Sequence, residues 1–297
     1  MEPLFGRVLT ALVTPFGPDG ALDYDVARDV ARFVVDQGSE GLVVGGSTGE
    51  GSSLTDDEKL SLFAAVAEAV TVPVLAGSTF ASTRASVSLT AQVRATGVAG
   101  VLATTPAYAR PSQAGLIAHL GAVAESTPLP VMLYDIPART GRKIAPATTV
   151  ELCHQHSNIV ALKDASGDLA AAARLKAQLG DRLDLYSGDD SLTLPFLAVG
   201  AVGVVSVAAH WAGAEFAAML GAVERDKWSK ARKINERLGE SYAFESSEAY
   251  PNPMPTKAAL RFLGFAVGEC RLPHPASDPE LNAAAARVVG ELQATRA

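Results

Sequence analysis

Cysteine is nearly absent: the 297 residues hold two, Cys153 and Cys270, too far apart in sequence to form a C-x-x-C pair. This excludes a disulfide framework and a thioredoxin-like redox motif, and it fits free thiols in a reducing cytoplasm. Cys153-His154-x-His156 offers three metal-ligand types. Positions i, i+1 and i+3 do not converge on one helix face, however, so the segment reads as a polar helix end rather than a zinc site. Positive charge is scarce as well. Lys and Arg number 25 against 32 Asp and Glu, for a net charge of −7 with no basic stripe. Nucleic acid and anionic membrane are thereby excluded as partners, and an anionic substrate must be met by individual lysines and arginines inside apolar surroundings. No G-x-G-x-x-G segment occurs, so a nicotinamide dehydrogenase lacks its fingerprint. No secretion signal opens the chain, because the apolar run Val8 to Val13 is short and closes at Pro15 and Gly17. Ser191 to Ala214 carries no formally charged residue and is long enough to mimic a membrane span, but Pro195, Gly200, Gly203, Ser206 and His210 break it. It reads as a buried helix, a buried strand and a loop.

What is present is a large apolar fraction, 48% hydrophobic against 19% charged, enough for a sizeable core. Eight short apolar runs recur: Leu9–Val13, Gly41–Val44, Pro73–Ala76, Gly100–Thr104, Val131–Tyr134, Ile159–Lys163, Leu183–Tyr186 and Gly203–Val207. Most lack polar alternation, the mark of parallel strands buried on both faces. Amphipathic stretches separate them, among them Tyr24–Gln37, Thr55–Val70, Ser82–Ala95, Ser112–Glu125 and Leu169–Leu179. Thr55 with Glu58 is a capping-box pattern. Eight β–α units can form an open sheet or a closed barrel; eight is the closing number, so the expectation is an α/β fold of the (β/α)8 TIM-barrel kind. The barrel is expected over residues 1–225. Residues 226–297 show three further helical stretches, interrupted by the rigid turn Pro251-Asn252-Pro253-Met254-Pro255, and no strand signal. They are expected to form a helical extension packed on the barrel.

Catalytic residues of such barrels gather at the carboxyl ends of the strands. Lys163 alone among the eight lysines ends a buried-strand pattern, Ile159-Val160-Ala161-Leu162. Desolvation there would lower its pKa and free a neutral amine, which attacks a ketone to give a carbinolamine and then an imine. A lysine at a strand end can also reach past its neighbours to solvent or a carboxylate. Tyr134 ends the adjacent strand and can shuttle protons, or serve as a core tyrosine with a satisfied hydroxyl. Gly45-Gly46-Ser47-Thr48-Gly49-Glu50-Gly51 supplies backbone amides and two hydroxyls, which suit a carboxylate or phosphate cradle or a plain strand–helix turn. Arg139 follows Pro137 in the next loop and can grip a carboxylate in bidentate fashion or form a surface salt bridge. Strand four ends in Thr104-Thr105-Pro106-Ala107-Tyr108, strand seven in Ser187-Gly188-Asp189-Asp190, and strand eight passes Val205-Ser206.

The segments G-S-T-G-E, Y-D-I-P-A-R-T-G and L-K-D-A-S-G stand in order at the right spacing, and with them nearly the whole chain resembles the pyruvate-dependent class I aldolases, the family of dihydrodipicolinate synthase and N-acetylneuraminate lyase. The resemblance implies that Lys163 forms a Schiff base with pyruvate and that Tyr134 gives and takes protons. Ser47 and Tyr108 would complete the relay, Tyr108 from a neighbouring subunit. Thr48, Gly188 and the backbone at Val205 would hold pyruvate, and Arg139 would meet the carboxylate of a small aldehyde. No metal or organic cofactor is implied, and the assembly would be a homo-oligomer, a tetramer built as a dimer of dimers. Arg139 favours the synthase branch, whose reaction joins pyruvate to aspartate 4-semialdehyde on the route to lysine and diaminopimelate. Ser47 stands where that branch usually has threonine, while Ala107 and Ala109 replace an aromatic and a polar residue flanking Tyr108. The positions that line up with the family's interface site for lysine read Asp56, Lys59, Ala81, Ala85 and Ala107. The competing readings are a sialic acid or other 2-keto-3-deoxy acid aldolase of the same mechanism, and a keto-acid sensor without turnover.

Overall fold

The computed structural model describes residues 2–79 and 81–296. Eight strands pair in parallel, each with the next in sequence, and the last returns to the first to close a barrel. They are β1 (Val8–Ala11), β2 (Gly41–Val44), β3 (Val74–Gly77), β4 (Gly100–Thr104), β5 (Val131–Asp135), β6 (Ile159–Asp164), β7 (Asp184–Ser187) and β8 (Gly203–Ser206). The eight apolar runs of the sequence are these strands, with ends that differ by at most two residues. The period of two sorts their side chains. Leu9, Val43, Leu75, Leu102, Met132, Ala161 and Val205 fill the barrel interior, while Leu42, Val44, Val101 and Leu133 pack outward against the helices. Each is fully buried, so truncating an outward leucine such as Leu42 to alanine should cost about 2–5 kcal/mol.

The helices are α1 (Tyr24–Asp36), α2 (Asp56–Ala69), α3 (Thr83–Val93), α4 (Gln113–Glu125), α5 (Pro137–Thr140), α6 (Pro146–Gln155), α7 (Leu169–Leu179), α8 (Thr193–Ala198) and α9 (Ala209–Glu224). Side chains begin most of them: Asp23, Ser82, Ser112 and Asp168 accept from first-turn amides of α1, α3, α4 and α7. The capping box at α2 is complete, with Thr55 Oγ1 accepting from the Glu58 amide and the Glu58 carboxylate from the Thr55 amide. The uncharged stretch 191–214 resolves into α8, β8 and the start of α9. No helix among the described residues is long and apolar enough to cross a membrane.

Beyond α9 come four helices where three were expected: α10 (Trp228–Arg237), α11 (Gly239–Phe244), α12 (Met254–Phe262) and α13 (Pro279–Ala294). The extra break falls at Leu238, whose amide still donates to the Ile234 and Asn235 carbonyls of α10 while its own carbonyl already accepts from the Tyr242 amide of α11. These helices reach back to the barrel through charge. Lys257 on α12 and Glu50 after β2 form a fully buried ion pair of 2.7 Å. Lys257 also donates to the Glu269 carbonyl at 3.0 Å and lies 4.2 Å over the Phe16 ring. The other oxygen of Glu50 accepts from the Arg271 amide at 2.8 Å, and the Arg271 guanidinium holds the capping-box Glu58. That guanidinium keeps the Glu58 carboxyl down at about 2.

Candidate active site

At the carboxyl end of the barrel, Tyr134, Lys163 and Tyr186 lie side by side on β5, β6 and β7 in direct register. Shared register on parallel strands turns all three side chains to the same, inner face. The Lys163 Nζ sits 4.3 Å from the centroid of the Tyr134 ring. Both residues are 4% exposed, and Lys163 makes no ion pair among the described residues. Burial brings the lysine down to about 8, with Asp190 opposing that fall, Arg139 adding to it and Glu245 opposing it more weakly. At pH 7 about one molecule in ten then carries the free amine, roughly 300-fold more than an ordinary lysine. Burial also pushes the Tyr134 phenol up to about 12, against the pull of Arg139 and of the Ser47 hydroxyl. A phenol so held stays protonated and can lend or take back a proton through the Ser47 hydroxyl.

Gly188 explains how the lysine is aimed. A Cβ at that position would meet the Lys163 Cγ at 3.0 Å and the Ala165 Cβ at 2.9 Å, so the glycine leaves room for the lysine stem. The Gly45–Gly51 loop is just as tight. A Cβ at Gly51 would fall on the Gly45 carbonyl, and Gly45 and Glu50 both take left-handed backbone conformations, at φ 68° and 51°. Folded this way, the loop puts Ser47 on the cavity wall and buries Thr48 against Asn252. Among the described residues their amides donate to no protein acceptor. Thr48 Oγ1 accepts from Asn252 Nδ2 at 2.9 Å, which leaves the threonine proton for an anion.

Arg139, exposed at the rim on α5, donates to the Asn252 carbonyl at 3.2 Å. Its turn is fixed by Asp135, which accepts from the Ile144 amide at 3.0 Å on the outer side of β5. Burial, with some help from Asp164, raises the Asp135 carboxyl to about 7. Val205 is buried on the inner face of β8, in the same cluster as Tyr134. The structure thus gathers Lys163, Tyr134, Ser47, Thr48, Gly188, Val205 and Arg139 at one barrel end. Tyr108 does not join them within this chain: it is 97% exposed, at φ 68°. Three residues unforeseen from the sequence stand beside the site, namely Asn252, which ties Thr48 to Arg139, and the carboxyl pair Asp190 and Glu245. An asparagine between two prolines was the one signal in the sequence, since so rigid a turn holds a side chain in place. A cavity of about 460 Å³ opens over Ser47 and Arg139, walled further by Lys59, Thr105, Ala107 and His274.

A desolvated amine against a tyrosine at the carboxyl end of a closed (β/α)8 barrel defines the class, an aldolase-type lyase. The model of the dihydrodipicolinate synthetase family matches residues 4–291, and the chain belongs to that family. The chain is 45% identical over 271 residues to the 4-hydroxy-tetrahydrodipicolinate synthase of Desulforamulus reducens, covering 91% of each. Among solved structures it is similar to dihydrodipicolinate synthase from Bacillus anthracis, with a TM-score of 0.93 at 40% identity over 98% of this chain and 99% of that one. It is also similar to the chloride-inhibited dihydrodipicolinate synthase from Acinetobacter baumannii complexed with pyruvate, with a TM-score of 0.90 at 30% identity, covering 96% of this chain and 99% of that one.

Proposed function

We propose that this chain condenses pyruvate with aspartate 4-semialdehyde to give 4-hydroxy-tetrahydrodipicolinate and water. The observation that carries the reading is the Lys163 amine, buried without an ion-pair partner among the described residues and set 4.3 Å from the Tyr134 ring, with Ser47 acting on the phenol. The amine adds to the pyruvate ketone, and Tyr134 protonates the carbinolamine oxygen, which leaves as water to give an iminium. Loss of a methyl proton forms the enamine. Its carbon attacks the aldehyde, making the new C–C bond, and the product's own amine then displaces Lys163 and closes the ring. Thr48, with the Ser47 and Thr48 amides, binds the pyruvate carboxylate, Gly188 and the Val205 backbone flank it, and Arg139 takes the carboxylate of the semialdehyde. Exposure of Tyr108 supports its action in a neighbouring subunit, within a homotetramer arranged as a dimer of dimers. We assign residues 1–225 to the barrel and 226–297 to the extension, and place the enzyme in the cytoplasm.

The test is covalent. Pyruvate followed by borohydride should label a single peptide, that of Lys163, and Lys163→Ala should abolish it. Because the amine is the reactive form, the labelling rate should rise about tenfold per pH unit up to about pH 8 and level above it. Labelling that persists in the variant, or lands on Lys59 or Lys257, would sink the mechanism.

A further inference from the structure

Glu245 is a buried acid that the reaction scheme leaves unused. It directly follows α11, where its amide donates to the Ser241 carbonyl at 3.1 Å, and α11 lies against the turn Asp190–Leu192 after β7. The residue is half-buried, yet its Oε2 is wholly enclosed and finds no donor, and the same holds for Asp190 Oδ1. Asp190 acts on Glu245 both as a like charge and as a side-chain hydrogen-bond partner, which puts the two orphaned oxygens within reach of one another. Two carboxylates cannot make that bond, because an ionised carboxylate only accepts. A single proton between them turns two orphaned oxygens into a donor and an acceptor.

The surroundings decide where the proton rests. Asp190 Oδ2 accepts from the Val207 and Ala208 amides at 2.9 and 2.7 Å, at the amino end of α9. Both the bonds and the helix dipole favour charge there. Glu245 has no such donors. Burial above all, then Asp190 and Asp189, drives its carboxyl well above the usual range. The other ionisable groups facing the pair are Asp189 after β7, Lys163 on β6, Tyr242 on α11 and His210 on α9. His210 stays neutral, held near 4 by burial, with Nδ1–H given to the Val207 carbonyl and Nε2 accepting from the Val13 amide.

We propose that Asp190 and Glu245 share one proton, and that the single negative charge they keep, resting on Asp190, is the counter-charge for the cation formed at Lys163. The proposal rests on Lys163 as the imine lysine. Imine formation converts a neutral amine into an iminium inside a desolvated site, and both carboxyl groups favour positive charge on that nitrogen while Arg139 opposes it. A fully ionised pair would raise the lysine further and leave still less free amine at pH 7, and a fully neutral pair would leave the iminium uncompensated. One charge serves both states. Glu245 is therefore a positioning residue, acting through Asp190, and it comes from the extension rather than the barrel.

The experiment compares wild type, Glu245→Gln and Asp190→Asn by the pH midpoint of borohydride trapping with pyruvate. Glutamine keeps a neutral donor to Asp190, so the midpoint should stay within about 0.3 pH units, whereas Asp190→Asn should lower it by about one unit or more. A midpoint that falls equally in Glu245→Gln would put the charge on Glu245 and overturn the proposal, as would an unmoved midpoint in Asp190→Asn. If Asp190→Asn fails to fold, infrared difference spectra decide. Wild type minus Glu245→Gln at pH 7 should contain the carbonyl stretch of a neutral carboxylic acid, and its absence overturns the assignment. Wild-type trapping at a residue other than Lys163 would instead strike the imine reading, and the infrared result stands apart from it.

Discussion

Replacing Lys257 by methionine keeps most of the side-chain volume beside Phe16 but leaves the Glu50 carboxylate enclosed without its cation. Both partners are essentially inaccessible, so the loss belongs with broken buried pairs, about 3–5 kcal/mol, rather than with surface ion pairs. Unfolding entropy near 2.1 cal/mol/K per residue, over 297 residues, gives roughly 0.6 kcal/mol per kelvin. The expected fall in Tm is therefore roughly 5–8 °C by differential scanning fluorimetry. Glu50→Gln should cost less, because Lys257 keeps the Glu269 carbonyl at 3.0 Å and the Phe16 ring at 4.2 Å. Combined, the two changes should cost at least about 1 kcal/mol less than their sum, since the second removes a charge the first has already stranded. Kinetics should register the same event. Glu50 follows Thr48 by two residues and holds a left-handed turn, so a released loop should raise the KM for pyruvate more than it lowers kcat. A Tm shift under about 2 °C for Lys257→Met, or strict additivity in the double variant, would refute this account of the clamp.

Arg139→Ala should impair use of the semialdehyde about tenfold to a hundredfold, the worth of one charge-assisted hydrogen bond, while leaving pyruvate trapping much less affected. Steady-state kinetics beside borohydride labelling measures both, and equal damage would place Arg139 elsewhere. Millimolar lysine should leave the rate essentially unchanged. Lys59, Ala81 and Ala107 line the cavity, so these aligned positions present a cation and two methyl groups to a bound ammonium, while Glu50, Ser52, Ser53 and Thr105 line other parts of the wall. Burial lowers Lys59 to about 8, which still leaves it mostly charged at pH 7. Strong, saturable inhibition by lysine would show that these positions are not the ones that matter.

The barrel was legible because its signal is local. Each strand is a short apolar run, and Tyr134 and Lys163 both end their runs, so they meet in register. Lys163 does end a buried strand, as its apolar run implies, but burial alone would not single it out: Lys59 and Lys257 are less exposed, at 1% and 0%. No periodicity marks Lys257 as buried, because its partner Glu50 lies more than two hundred residues away in the chain. Asn252, Asp190 and Glu245 escaped for the same reason. Their roles come from contacts between the extension and the strand-end loops, which hydrophobic pattern does not encode. The fourth helix of the extension was missed because α10 and α11 are parted by Leu238 alone, too short a break to read from composition.

The bond from Asn252 to Thr48 also sets a schedule for the newly made chain. The two residues lie 204 positions apart, so at 5–20 residues per second the ribosome adds Asn252 roughly 10–40 s after Thr48. Strands β1 to β8 are all synthesised before that moment, so the barrel can close around Lys163 while the loop carrying Thr48 is still unset. Lys257 and Arg271, which lock Glu50, follow later still. On the proposed reading, the imine lysine is therefore in place before the contacts that set the loop carrying Thr48.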